Sequence, residues 1–195
     1  MTVPRKRLFL LVFIVGIFIA AFLAWKGFAY RHHLRFVPEA MNVWWVRYVS
    51  EEAWGFGPGG NETGIIVYDM PEKVRQELEE KGPTWLEALP RNSWDGWQGG
   101  YSDWHSTPIP KTHSWADPAA CPLKTSDRYL GFYPNGCPSI SGYMGAYGFA
   151  ISFDRDVEDM VNEALFSPGA YYAFGRIGIL ILIPAHDRIV YVYNG

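Results

Sequence analysis

From Leu8 to Trp25 the chain reads LFLLVFIVGIFIAAFLAW, with no charged, amide or hydroxyl side chain in the run. Wound as an α-helix at about 1.5 Å per residue, these residues reach roughly 27 Å, close to the hydrocarbon thickness of a bilayer. The pattern predicts a membrane-spanning helix. The basic cluster Arg5-Lys6-Arg7 in front of it also suits a secretory signal. The run is longer than a usual signal core, however, and Ile19 and Phe22 spoil cleavage after Ala21 or Ala24, so an uncleaved anchor is expected. Basic residues crowd the N-terminal flank more densely than Lys26, Arg31 and Arg35 crowd the other, which predicts an N-inside, C-outside orientation. Gly16, Ala20 and Ala24 recur every four residues and form a smooth stripe on which such spans can self-associate. Trp25 and Tyr30 suit the aromatic belt at the exit.

Beyond the anchor the pattern changes to that of a globular domain. Residues 1–29 are read as basic head and anchor, 30–38 as a juxtamembrane link closed by Pro38, and 39–195 as one domain. Glu39 to Trp54 opens and closes like a helix but holds the strand-like Val43-Trp44-Trp45-Val46; the reading adopted is helix. Gly64 to Asp69 (GIIVYD) predicts a buried strand. Pro71 to Lys81 predicts a helix stopped by Gly82-Pro83, and Thr84 to Leu89 a shorter one. Ala146 to Phe153 predicts a strand, Asp154 an N-cap and Arg155 to Phe166 a helix ended by Ser167-Pro168-Gly169. Ile177 to Ile183 and Arg188 to Tyr193 predict a hairpin, the continuous run (IGILILI) central and the alternating one (RIVYVYN) at the edge. The fold class that follows is α+β, a mostly antiparallel sheet with helices over one face.

Charge and composition narrow the function. All 20 acidic residues but only 13 of the 17 Lys and Arg follow residue 29, an excess of seven negative charges. A field of that sign disfavours nucleic acid and anionic lipid beyond the membrane-proximal basic residues. Aromatic residues make up 17% of the chain, nine of them Trp, which is a globular composition.

Candidate chemistry concentrates between Pro90 and Gly145, rich in Gly, Pro and Trp and poor in periodicity. Trp94, Trp97, Tyr101 and Trp104 are either the lid of the core or a platform for a partner's apolar anchor or for sugars. Asp95 and Asp103 lie among them as charges that would tune association. The candidate partner-binding set is therefore Trp94, Asp95, Trp97, Tyr101, Asp103 and Trp104. Asp103-x-His105 and His113-x-x-x-Asp117 carry groups able to bind metal or move protons, but no His-x-x-x-His or His-Glu-x-x-His spacing supports a metal or catalytic site. No cofactor motif is present: the glycine-rich Gly55 to Gly64 lacks the Lys-Ser/Thr ending of a phosphate loop. Ser139 and Ser141 sit beside glycines but outside a nucleophile-elbow pattern. Cys121 and Cys137, the two cysteines of the chain, are expected to form a disulfide outside the cytoplasm; in the chain-entropy model it contributes about 3 kcal/mol.

These readings point to a single-pass cell-membrane protein whose domain lies outside the cytoplasm, in the periplasm if the host is Gram-negative. The domain is expected to bind a protein partner, as an inhibitor, an immunity-type protein or an envelope-complex subunit does, rather than to catalyse a reaction. The alternative is an envelope glycan-binding or glycan-processing protein working through the Trp-rich segment 94–115.

Overall fold

The structure, a computed structural model, describes residues 5–53, 62–94, 96–109, 139–144 and 151–194. Helix α1, Arg5–Leu34, runs for 30 residues without a break. One helix among the described residues, Val12–Leu34, is long and apolar enough to cross a membrane, and none of its most apolar stretch is buried in the protein. The helix outlasts the apolar run because its last turns dock on the domain. Residues 30–38 are thus not the expected link: helix continues to Leu34, and Phe36 and Val37 are buried in the core. Pro38, which lacks an N–H and restricts Val37, completes the stop.

The expected helix over Glu39–Trp54 shrinks to one 3-10 turn, Glu39–Met41, ended by Asn42 at a left-handed φ of 51°. Strand β1, Val46–Ala53, follows. It pairs antiparallel with β2, Glu62–Asp69, with an irregularity in register between Val46 and Tyr48. The β-branched and aromatic residues of β1 favour this pairing over an isolated turn of helix. Helix α2, Glu72–Lys81, and helix α3, Pro83–Glu87, form as expected around the Gly82-Pro83 break. Strand β3 is the pair His105–Ser106; α4, Ile140–Met144, and α5, Arg155–Phe166, come before β4, Tyr171–Phe174, β5, Gly178–Ile183, and β6, Arg188–Asn194. Asp154 stands at the N-cap of α5 but makes no side-chain capping bond. Of the strand expected at Ala146–Phe153, residues 145–150 lie outside the described residues and 151–153 are irregular.

Among the described residues six strands form one antiparallel sheet in the order β1-β2-β6-β5-β4-β3. Two expectations change here. β6 is central, paired with β2 on one side and β5 on the other, rather than an edge strand. Its apparent alternation came from counting Tyr191 and Tyr193 as polar, whereas both are buried. Because successive residues of β2, β5 and β6 are buried whichever way they point, apolar layers cover both faces of the sheet. On one face Ile66, Leu180, Leu182 and Ile189 meet Phe36, Val37 and Met41, Val74 and Leu78 of α2, and Leu86 of α3. On the other, Ile65, Val67, Ile181 and Val190 meet Ile140 and Met144 of α4 and Val161 and Leu165 of α5. Fully burying one such side chain is worth roughly 1.5–3 kcal/mol relative to leaving it exposed. The architecture is therefore α+β with an antiparallel sheet between two apolar layers.

Candidate functional site

The structure turns the aromatic segment inward, against the chain that leaves α1. Trp104 keeps only 7% of its surface exposed and Trp97 packs, partly buried, on the core. The Trp97 ring lies 6.0 Å from that of Phe36, and Tyr101 donates its hydroxyl hydrogen to the Phe36 carbonyl at 2.7 Å. Trp94 is half-buried and donates from Nε1 to the Gln98 carbonyl at 3.2 Å. Asp103 is exposed at a left-handed φ of 54°, and Asp95 lies outside the described residues. The structure therefore brings Trp97, Tyr101 and Trp104 together as a lid over one core layer, with Trp94 and Asp103 nearer its rim.

Polar bonds tie the lid to residues 35–39. The Glu39 carboxylate accepts from the Ser93 amide at 2.7 Å and from the Ser93 hydroxyl at 2.9 Å; these bonds hold its carboxyl below the usual value. The Glu39 amide donates to Asn92 Oδ1 at 2.8 Å. Gly99, at φ 68°, passes so close that a side chain there would meet the Val37 and Arg35 carbonyl oxygens at 2.7 and 2.8 Å. Only glycine suits a left-handed backbone pressed against another strand of chain.

A second cluster, on the sheet side of the same junction, has no counterpart in the sequence reading. Tyr30, in the last turns of α1, reaches the edge of β1 and uses its hydroxyl twice. It donates to the Trp44 carbonyl at 2.6 Å and accepts from the Val46 amide at 3.2 Å. One turn further, His33 Nε2 lies 3.0 Å from Glu51 Oε2, and Tyr193 donates to Glu51 Oε1 at 2.6 Å. Tyr68, buried in β2, donates to the His33 carbonyl at 2.7 Å, an acceptor near the helix end that also receives the Phe36 amide at 3.3 Å. Burial alone would raise the Glu51 carboxyl, but the hydrogen bonds with His33 and Tyr193 outweigh it and hold the group below its usual value. Burial, then the neighbouring Glu51 carboxylate, pushes the Tyr193 hydroxyl far above its ordinary value, so it remains the proton donor of the pair. Beside it the Tyr191 hydroxyl is buried without a hydrogen-bond partner among the described residues.

Outside α1, the exposed large apolar side chains among the described residues are Trp44, Trp45 and Val49, at or before β1. Trp44 is 68% and Trp45 46% exposed, their rings 5.7 Å apart. The other tryptophans described in the domain, Trp85, Trp94, Trp97 and Trp104, are half-buried or buried. A Trp-Trp pair just ahead of a strand was the one available signal, and its pairing with Tyr30 could not be read from the sequence.

The remaining candidates are scattered. His105 begins β3, its ring 5.3 Å from Tyr172, while His113 and Asp117 lie outside the described residues, as do Cys121 and Cys137. Ser139 caps α4 by accepting from the Gly142 amide at 2.9 Å, and Ser141 hydrogen-bonds the buried Glu158 of α5. Among the described residues no three His, Cys, Asp or Glu side chains gather as a metal site would require. No protein-family description, curated protein or solved structure matches the chain.

Proposed function

We propose that this is a single-pass membrane protein whose domain stands outside the cytoplasm and binds a protein partner there. What carries the reading is the continuity of α1 with the domain: an apolar helix, unburied over its most apolar stretch, ends in hydrogen bonds to the sheet through Tyr30, His33 and Tyr68. A segment to be removed after export has no use for such docking. The excess of acidic residues after residue 29 favours a basic partner, which it steers more than it holds. Trp94 and Asp103, on the rim of the aromatic lid, are the described members of the candidate set open to such contact; Trp97, Tyr101 and Trp104 shape the surface from behind. On that side of the membrane Cys121 and Cys137, which lie outside the described residues, are expected to pair, and protein isolated from intact envelopes should then carry no titratable thiol.

The test has two parts. Reporters active only outside and only inside the cytoplasm, each fused after Gly195, should be active and silent respectively; the reverse would refute the orientation. Crosslinking in intact membranes followed by detergent purification should yield one stoichiometric partner. Loss of that product in an Asp103→Lys chain that melts normally would place the contact at the rim, and binding to envelope glycan in its stead would favour the glycan reading.

A further inference from the structure

We propose that Trp44 and Trp45 seat in the headgroup layer of the same bilayer that α1 crosses, giving the domain a lipid contact of its own beside the span. This rests on the anchored reading above. Tyr30 follows Trp25, the last residue of the apolar run, by five residues, or about 7.5 Å at 1.5 Å per residue. The interfacial layer on each side of the hydrocarbon core is itself roughly 5–7 Å deep. Side chains on a helix lean toward its N-terminus, here toward the membrane, so the Tyr30 hydroxyl lies no higher than its own backbone. The Trp44 backbone carbonyl accepts from that hydroxyl at 2.6 Å. The domain therefore cannot hold this pair away from the bilayer: the tether that fixes β1 to α1 fixes it at headgroup height.

The side chains at that height match the environment. Indole rings favour the boundary between hydrocarbon and water, where the ring is sheltered and the N–H stays wet. Trp25 and Phe28 of α1, between the end of the apolar run and Tyr30, are exposed, 68% and 67%, and Lys26, Arg31 and Arg35 supply cations for lipid phosphates. In a soluble domain the open Trp44-Trp45 pair is an unfavourable exposure; in this layer it is a favourable one.

The test uses the full chain in phosphatidylcholine vesicles containing lipids spin-labelled near the glycerol end of the acyl chain. Tryptophan emission of the Trp44→Phe/Trp45→Phe chain should lose most of the quenchable share, and the Trp25→Phe chain, with the pair intact, should retain it. Equal quenching of wild type and double variant, or no quenching in the Trp25→Phe chain, would overturn the proposal. Wild-type chain extracted from the vesicles by alkaline carbonate would overturn the anchor and the lipid contact together. A carbonate-resistant chain with an unquenched pair would overturn the lipid contact alone and leave the pair to a protein.

Discussion

Tyr193 donates its hydroxyl hydrogen to Glu51 at 2.6 Å, and the two residues lie 142 positions apart in the chain. The same carboxylate meets His33 at the end of α1, so β6, β1 and the helix converge on one acidic group.

Acid should loosen this junction. A carboxyl held below its usual value of 4.5 contributes stability that is fully present above that value and lost as pH falls through the lower one. Melting temperature measured from pH 6 downward should therefore decline below about pH 4.5, and Glu51→Gln should flatten part of that decline. Superimposable pH profiles for the two chains would show that Glu51 contributes nothing at this junction.

Gly64 faces Tyr193 across the β2–β6 pairing, and a Cβ there would sit 2.6 Å from three atoms of the Tyr193 side chain. Gly64→Ala can be accommodated only by moving a ring whose hydroxyl is held by Glu51. A cost of about 1–3 kcal/mol is expected, the usual range for overpacking a filled core. Denaturant unfolding checks it, and Tyr193→Phe in the same background should recover little, because the clash involves ring carbons as well as the hydroxyl.

Tyr191 and Tyr68 should respond in opposite directions to loss of their hydroxyls. Tyr68→Phe removes a bond to the helix end and should cost about 1 kcal/mol, whereas Tyr191→Phe removes a buried hydroxyl without a partner and should be neutral or stabilising. A Tyr191→Phe chain as destabilised as Tyr68→Phe would reveal a bonding partner for that hydroxyl.

The two kinds of tryptophan should also separate. Trp104→Ala opens a cavity in the first core layer and should cost about 3–5 kcal/mol, while Trp44→Ala in detergent should stay within about 0.5 kcal/mol of wild type. Leu180→Asp, in a strand buried on both sides, should prevent accumulation of folded protein altogether. Thermal melts of purified chains decide each case.

Local pattern was enough for α2, α5 and the β5–β6 hairpin, whose periodicity and breakers lie within a few residues of one another. Sequence pattern failed where a residue's character depends on distant partners. Tyr191 and Tyr193 read as polar in RIVYVYN, yet burial between two strands makes them core, with Gly64 and Gly178 leaving room for the rings. Val43-Trp44-Trp45-Val46 carried a strand signal that lost to helix-like flanks; only its last residue enters β1, and β2 decides the matter by pairing with seven residues of that strand. The aromatic lid was legible as either core or surface; what resolved its burial was Phe36, which the sequence had placed in a free link. The junction of Tyr30, His33 and Glu51 was invisible for the same reason, since it joins two residues of a presumed link to a presumed helix.

Chains tethered in one membrane meet each other at equal height and similar orientation, which is the arrangement most prone to sheet-to-sheet zippering. The β1 margin resists it where it adjoins α1. Tyr30 occupies a carbonyl and an amide that a neighbour's strand would need, the register breaks at Arg47, and Glu51 and Glu52 repel a like edge approaching further along. At the opposite margin the described strand β3 is two residues long. On the proposed anchoring, crowding in the plane of the membrane raises the local concentration of this protein without favouring strand addition at the β1 margin.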